Sequence, residues 1–290
     1  MPKLLDRLST TLEEKVNAVK VYRQRFGRWP NLLRPKTFND WLCVAKMLRH
    51  DRRLPALADK LRAKEFIAER LSPEWTLPTV WSGSTLPDSI PAEWPEQFVL
   101  KANHGSGMNY FHLGPGSDWG EAKRLAADWL SRSYGMWSGE WHYKHIRKQL
   151  LVEPFLGARG AAPVDYKIYV FGGLPRFIQL DSSRFTDHRR TLYDRNWRRL
   201  PFRYVFEGIE GVVPAPVSLE RMVGAAAILG AGFEFVRVDC YEIDGRPMVG
   251  ELTFIPEAGI GAFYPDDYDT IIGGYWPRRG APLGISGRLG

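Results

Sequence analysis

The chain has 290 residues, 44% hydrophobic and 25% charged, which suits one large or two medium soluble domains with a substantial core. Two distant cysteines, Cys43 and Cys240, exclude a disulfide framework or a cysteine zinc cluster, and the longest apolar run, Val223 to Phe233, is too short and too broken by glycines to span a membrane. The net charge of +7 favours an anionic partner, but no block of Lys/Arg, RNP pattern or zinc-finger spacing supports nucleic acid. The opening MPKLLDRLSTTLEEK lacks the apolar stretch of a secretory signal, so a cytoplasmic location is expected.

The first seventy residues read as helical. Thr37 or Asn39 is placed to cap a helix from Asp40 to His50, and Pro55 opens another that runs to about Leu71. Prolines 73, 78, 87, 91 and 95 then mark a connector with room for one short strand. FVLKA (Phe98 to Ala102) predicts a strand, NHGSG a glycine turn and MNYFHL a returning strand; Glu121 to Arg132 has helical periodicity and stops near Gly135. Strands follow at Leu150 to Leu156 and Val164 to Phe171, with a Gly172-Gly173 turn into PRFIQLDS. Ser218 is expected to cap a helix ending near Gly230 to Gly232, and the hairpin Phe235 to Phe254 comes after it. Strands and helices mix without regular βαβ alternation, so the fold class is α+β.

Two places carry chemistry. Lys101 ends a strand and Asn103-His104-Gly105-Ser106-Gly107 follows at once. Small residues let backbone N–H groups approach phosphate oxygens, and a neighbouring lysine adds a point charge. The loop is neither a Walker A motif nor GxGxxG, and an ordinary hairpin turn with an edge lysine is the alternative. The second place is FVRVDCYEIDGRPMVGELTF, where Arg237, Asp239 and Glu251 interrupt an apolar, β-branched hairpin. Buried carboxylates are costly without partners, and two acids with an arginine suit a divalent cation bound to phosphates.

Strand parity makes that idea testable. Arg237 and Asp239 share a face. A two-residue Asp244-Gly245 turn would put Glu251 on the other face, whereas a three-residue Ile243-Asp244-Gly245 loop would bring Asp239, Glu251 and Thr253 together, with Arg237 opposite Glu251. The metal site therefore requires an odd-numbered or bulged hairpin. The competing reading is a solvated Arg237–Glu251 cross-strand ion pair.

Taken in order, PKTFND, ADKLRAKEFI, FVLKANHGSG, HYKHIRKQLLVEPFL, VDYKIYVFGG and FVRVDCY…GELTFIPEAG resemble the ATP-grasp superfamily, and more closely its TupA-like branch, which is associated with bacterial cell-surface polymers such as teichuronopeptide. They cover most of residues 35 to 275. The resemblance implies two α+β subdomains clasping ATP: a helical N-terminal region (1–72), a subdomain with the phosphate loop (73–157) and a C-terminal subdomain with the metal site (158–280). It implies nucleotide contacts from Lys60 and Lys101, a phosphate lid at His104, Gly105, Ser106 and Gly107, an adenine contact at Glu153, and a ribose contact at Asp165 with Lys167 beside it. Asp239 and Glu251 correspond to the metal carboxylates for Mg²⁺ (or Mn²⁺), and Arg237 to the arginine that stabilises the transferring phosphoryl group. Thr253 stands where the superfamily usually has Asn and joins the metal set only as an oxygen donor.

Arg184, within LDSSRFTDHRR, is expected to contact the acceptor carboxylate or the γ-phosphate, the alternative being a solvated basic loop. Asp194 is another site residue or a turn former, and Glu140, Tyr143 and Lys144 match the family pattern without an assigned role. The implied activity is an ATP- and Mg²⁺-dependent carboxylate–amine ligase that proceeds through an acyl-phosphate and modifies a surface polysaccharide or glycopeptide precursor with an amino acid or amine. It implies no nucleic-acid partner, no membrane span, and peripheral association with surface-polymer assembly enzymes. A kinase acting on a sugar or small molecule, and an idle nucleotide- or glycan-binding protein, are the alternatives.

Overall fold

A computed structural model describes residues 2–156, 164–182 and 187–277, with side chains from residue 12 onward. Helix α1 (Pro2–Phe26) leads to α2 (Phe38–Met47). The cap of α2 is Thr37, not Asn39: its hydroxyl accepts from the Asp40 amide at 3.0 Å while the Asp40 carboxylate reaches back to the Thr37 amide, a reciprocal capping box. Asn39 is buried instead, and its side-chain amide donates to the Gly261 carbonyl (2.8 Å) and to Asp269 (3.0 Å).

The single helix expected from Pro55 to Leu71 is two, α3 (Leu54–Ala58) and α4 (Lys60–Arg70), broken at Asp59. The extended Asp59 backbone lets its carboxylate accept from the Leu61 amide (3.0 Å) and from Asn103 Nδ2 (3.0 Å). One acid thus caps α4 and ties its first turn to the glycine loop.

The smaller sheet comprises β1 (Trp81–Gly83), β2 (Phe98–Ala102), β3 (Asn109–His112) and β4 (Leu150–Pro154), all antiparallel in the order β1-β4-β2-β3. Phe98, Leu100, Ala102 and Val152 bury one face against Ala122, Ala126 and Trp129 of α5 (Trp119–Ser131). Alternation sends Val99, Lys101 and Glu153 to the opposite face.

The larger sheet holds β5 (Asp165–Phe171), β6 (Leu174–Ser182), β7 (Arg189–Tyr193), β9 (Phe235–Ile243) and β10 (Arg246–Thr253) in the order β10-β9-β5-β6-β7. Helix α6 (Leu219–Gly230) covers its apolar face, where Met222, Ala226 and Leu229 share a core with Ile168, Val170, Val236 and Val238. Phe38, Leu42, Leu54, Leu57 and Ile67 from α2, α3 and α4 join the same core. A ribbon of β8 (Arg203–Tyr204) and β11 (Phe263–Tyr264), and helix α7 (Asp267–Gly273), complete it. Ser218 does not cap α6 with its side chain; its amide and hydroxyl both donate to Glu242 and fasten the helix start to β9. Among the described residues no helix is long and apolar enough to cross a membrane.

The hairpin meets the parity requirement by a bulge and not by an odd-numbered turn. Ile243 pairs with Arg246, so the connection is the two-residue Asp244-Gly245 turn, with φ of 50° and 72° as a type I′ geometry needs. Parity is restored by a bulge between Val249 and Glu251, which loops out Gly250. Glu251 then lies opposite Asp239, and Thr253 opposite Arg237.

Candidate active site

Side-chain alternation concentrates charge on the face of the larger sheet away from α6. Asp165, Lys167 and Tyr169 of β5 stand beside Asp181 and Gln179 of β6, Arg190 of β7, and Arg237, Asp239 and Tyr241 of β9. The smaller sheet offers Val99, Lys101, Asn109 and Phe111. Between them lies a cleft of about 480 Å³ whose lining includes Lys60, Lys101, Ser106, Gly107, Asp165, Lys167, His188, Asp239, Tyr241 and Glu251.

The acids of the cleft are held by cations. Arg237 donates from Nε and Nη2 to the two oxygens of Asp239, each at 2.7 Å, and Lys167 lies 3.3 Å from the same carboxylate and 3.0 Å from Asp165. Burial alone would raise the Asp239 carboxyl, but Arg237 and Lys167 outweigh it and hold the group below the usual carboxylate range. Asp181 is lowered in the same way against its burial, by His188, Arg190 and Lys167.

Glu251 is the more open acid: its side chain is 36% exposed and only 3.9 Å from Arg237. Two carboxylates directly opposite on a sheet repel unless a proton or cation lies between them. That juxtaposition, in a cleft lined by lysines, fits a Mg²⁺ shared with phosphate oxygens. Thr253 stands one pair deeper, where its Oγ1 accepts from Arg237 Nη2 at 3.2 Å. No group of three or more His, Cys, Asp or Glu with metal-binding geometry occurs among the described residues.

On the opposite wall, Lys60 opens α4 and its ammonium donates to the Gly105 carbonyl. Burial lowers its affinity for the proton, while Glu251 acts against that loss. Gly105 packs against Tyr134, where a Cβ would stand 2.8 Å from the ring, and Gly107 takes φ of 74°. His104 turns away from the cleft: its Nε2 lies 3.0 Å from the Trp129 carbonyl, in the core behind the loop. Burial lowers its basicity.

Glu153 is clamped between two ammonium groups, Lys101 at 2.6 Å and Lys64 on its other oxygen. They keep its carboxyl below the usual range despite burial. Lys64 went unnoticed in the sequence, although its i,i+4 spacing from Lys60 places both on one helix face. His188 was also missed; it shares strand parity with Arg190, lines the cleft and lies 3.5 Å from Asp181. Asp194 is a turn former, accepting from the amides of Asn196 and Arg198. Arg184 lies outside the described residues.

A family model described as TupA-like ATPgrasp matches residues 42–276. No match was found among the curated proteins. Among solved structures, D-alanine–D-alanine ligase from Bacillus anthracis complexed with ATP is 17% identical over 68% of this chain and 55% of its own, with a TM-score of 0.39. The corresponding ligase from Helicobacter pylori is 15% identical over 78% and 60%, with a TM-score of 0.41. The ATP-grasp ligase PsnB, complexed with a minimal precursor, Mg and ADP, is 12% identical over 70% and 52%, with a TM-score of 0.37. The chain thus spans little more than half the length of these ligases. The family match runs from α2 through α7 and takes in both walls of the cleft, and the chain belongs to the TupA-like ATP-grasp family.

Proposed function

We propose that this protein is an ATP-dependent carboxylate–amine ligase. The observation that carries the reading is the convergence of Lys60, Lys101 and the Ser106-Gly107 backbone from one wall with Lys167, Asp239 and Glu251 from the other on one cleft. Lysines and loop amides suit a polyphosphate, and the paired acids suit its metal. Mg²⁺, when bound, would screen the phosphate charge and align the γ-phosphate. In this reading Arg237 faces the charge that develops as a substrate carboxylate oxygen attacks the γ-phosphorus and ADP leaves. An amine nitrogen then attacks the acyl carbon of the resulting acyl-phosphate, the C–O bond to phosphate breaks, and the nitrogen loses a proton.

Asp165 and Lys167 are assigned to the nucleotide with Glu153, and Thr253 to positioning Arg237. The family's association with surface polymers supports a polymer precursor as substrate and the cytoplasm as the place of reaction. The subdomain boundaries near residues 72 and 157 belong to the same reading. Phosphate release from ATP should require both a carboxylate and an amine, and hydroxylamine in place of the amine should yield a hydroxamate. A stable phosphorylated acceptor formed without amine would replace the ligase reading by a kinase.

A further inference from the structure

The connection between α5 and β4 leaves the smaller sheet and packs on the N-terminal helices. A second cavity, of about 190 Å³, opens at that junction and shares no lining residue with the cleft. Gly139 brings its walls together: at φ of 75° the connection lies directly on α1, where a Cβ would stand 2.8 Å from that of Ala18. Lys46 on α2 fastens the other side, donating to the Ser138 carbonyl (2.9 Å) and the Ala258 carbonyl (2.8 Å). Trp141 of the connection stacks on His50, just past α2, with centroids 4.5 Å apart.

The lining is rich in donors and poor in acceptors. Lys15, Lys46 and Lys144 bring three ammonium groups, His50 and His145 two imidazoles, and Glu14 the one carboxylate. That carboxylate is already taken by Lys144, at 2.9 Å. The charge of buried Glu140 also acts on Lys46. Setting both acids against the three ammonium groups leaves a surplus of one positive charge before either imidazole is protonated. Among the described residues the Lys15 ammonium, the His145 ring and the Trp141 indole N–H find no hydrogen-bond partner, and Lys46 has one N–H beyond its two carbonyls. Burial lowers the basicity of His145, and Lys144 and His50 lower it further against the pull of Glu14, as a cationic surrounding does.

We propose that this cavity binds a phosphate group, as an anion site separate from the cleft. Donors come to it from three elements: Lys15 on α1, Lys46 on α2, and His145 and Trp141 on the connection. A tetrahedral oxyanion accepts from several directions at once, and lysine meets phosphate as a point charge. A planar carboxylate is better matched by the fork of an arginine, and no arginine lines the cavity. The volume admits several waters or one phosphate. The group is either free phosphate or the phosphate of a small molecule. This inference does not rest on the ligase reading.

The test uses the full chain, titrated by calorimetry at constant ionic strength with sodium phosphate, glycerol 3-phosphate and sodium acetate, each with and without Mg²⁺ and AMP-PNP to fill the cleft. Phosphate is expected to bind in the presence of AMP-PNP, at least about tenfold more tightly than acetate. Lys15→Ala and His145→Ala should each weaken phosphate binding at least about threefold. Neither side chain is buried, so both variants should keep the wild-type melting temperature, which identifies them as folded. Tighter binding of glycerol 3-phosphate than of phosphate would assign the site to a phosphorylated molecule, and weaker binding to free phosphate. Absence of phosphate binding, equal affinity for acetate, displacement of phosphate by AMP-PNP, or unchanged affinity in either folded variant overturns the proposal. Failure of AMP-PNP to bind would instead sink the ligase reading and leave this site to be decided by the two variants.

Discussion

Glu251 lies directly across from Asp239 although the turn between their strands has two residues, because Gly250 is looped out of the ladder. The bulge has a packing cause as well: a Cβ at Gly250 would stand 2.5 Å from the Tyr241 ring, which lines the cleft. Gly250→Ala is therefore expected to cost about 1–3 kcal/mol by overpacking. It should also weaken AMP-PNP binding by displacing Tyr241. Thermal melts and nucleotide titrations check both; wild-type values in both would remove the bulge from the site's architecture.

Asp239 and Glu251 should separate in stability though both are proposed to hold the metal. Asp239→Asn leaves buried Arg237 and Lys167 short of a countercharge and is expected to destabilise by about 3–5 kcal/mol. Glu251→Gln removes a partly exposed acid with only a long contact to Arg237, so its cost should stay within about 0.5 kcal/mol. Both variants should lose Mg²⁺-dependent tightening of nucleotide binding, measured by calorimetry with and without the metal.

The Lys64–Glu153–Lys101 clamp predicts an acid response. The folded-state pKa of Glu153 is lowered, so its contribution is complete above the unfolded value of about 4.3 and is lost as pH falls through the lower folded value. Glu153→Gln should remove part of the stability gained on going from about pH 3 to pH 5. Denaturant midpoints across that window, compared with wild type, would show the difference; superimposable curves would mean the clamp contributes nothing.

Glu140 predicts the opposite sign. Its folded pKa of about 7 lies above the unfolded value, so the folded state binds the extra proton and stability falls as pH rises from about 4.5 through 7. The penalty reaches about 3 kcal/mol above pH 7. Glu140→Gln should be more stable than wild type at pH 8 and close to it at pH 5. His142, buried and lowered to about 3, changes stability in the reverse sense below pH 6.5, but it is common to both proteins and cancels in the comparison.

Much of this site is local enough to read from the chain. Arg237, Asp239 and Glu251 stand out because charge is rare in a β-branched hairpin, and Lys101 because a glycine turn follows its strand. What escaped depends on tertiary register. Strand parity leaves a bulged hairpin open and Gly250 inside a strand is its local sign, but where the bulge falls depends on the pairing of β9 with β10. His104 looked like part of the phosphate loop, but its ring is drawn into the α5 core by the Trp129 carbonyl. Lys64 resembles any solvated helix lysine until β4 brings Glu153 to it. Strand β7 and helix α7 were not anticipated, since a basic stretch such as HRR and a short DYDTIIG segment carry weak local signals.

The cleft lining also settles where the chain's basic charge is not. Lys60, Lys101 and Lys167 are matched in number by Asp165, Asp239 and Glu251, so the described lining is close to neutral in a protein of net charge +7. The surplus lies elsewhere on the molecule and can draw anions only to the general neighbourhood. Short-range geometry, not a field focused by the lining, would govern nucleotide capture, and ionic strength should act on it weakly.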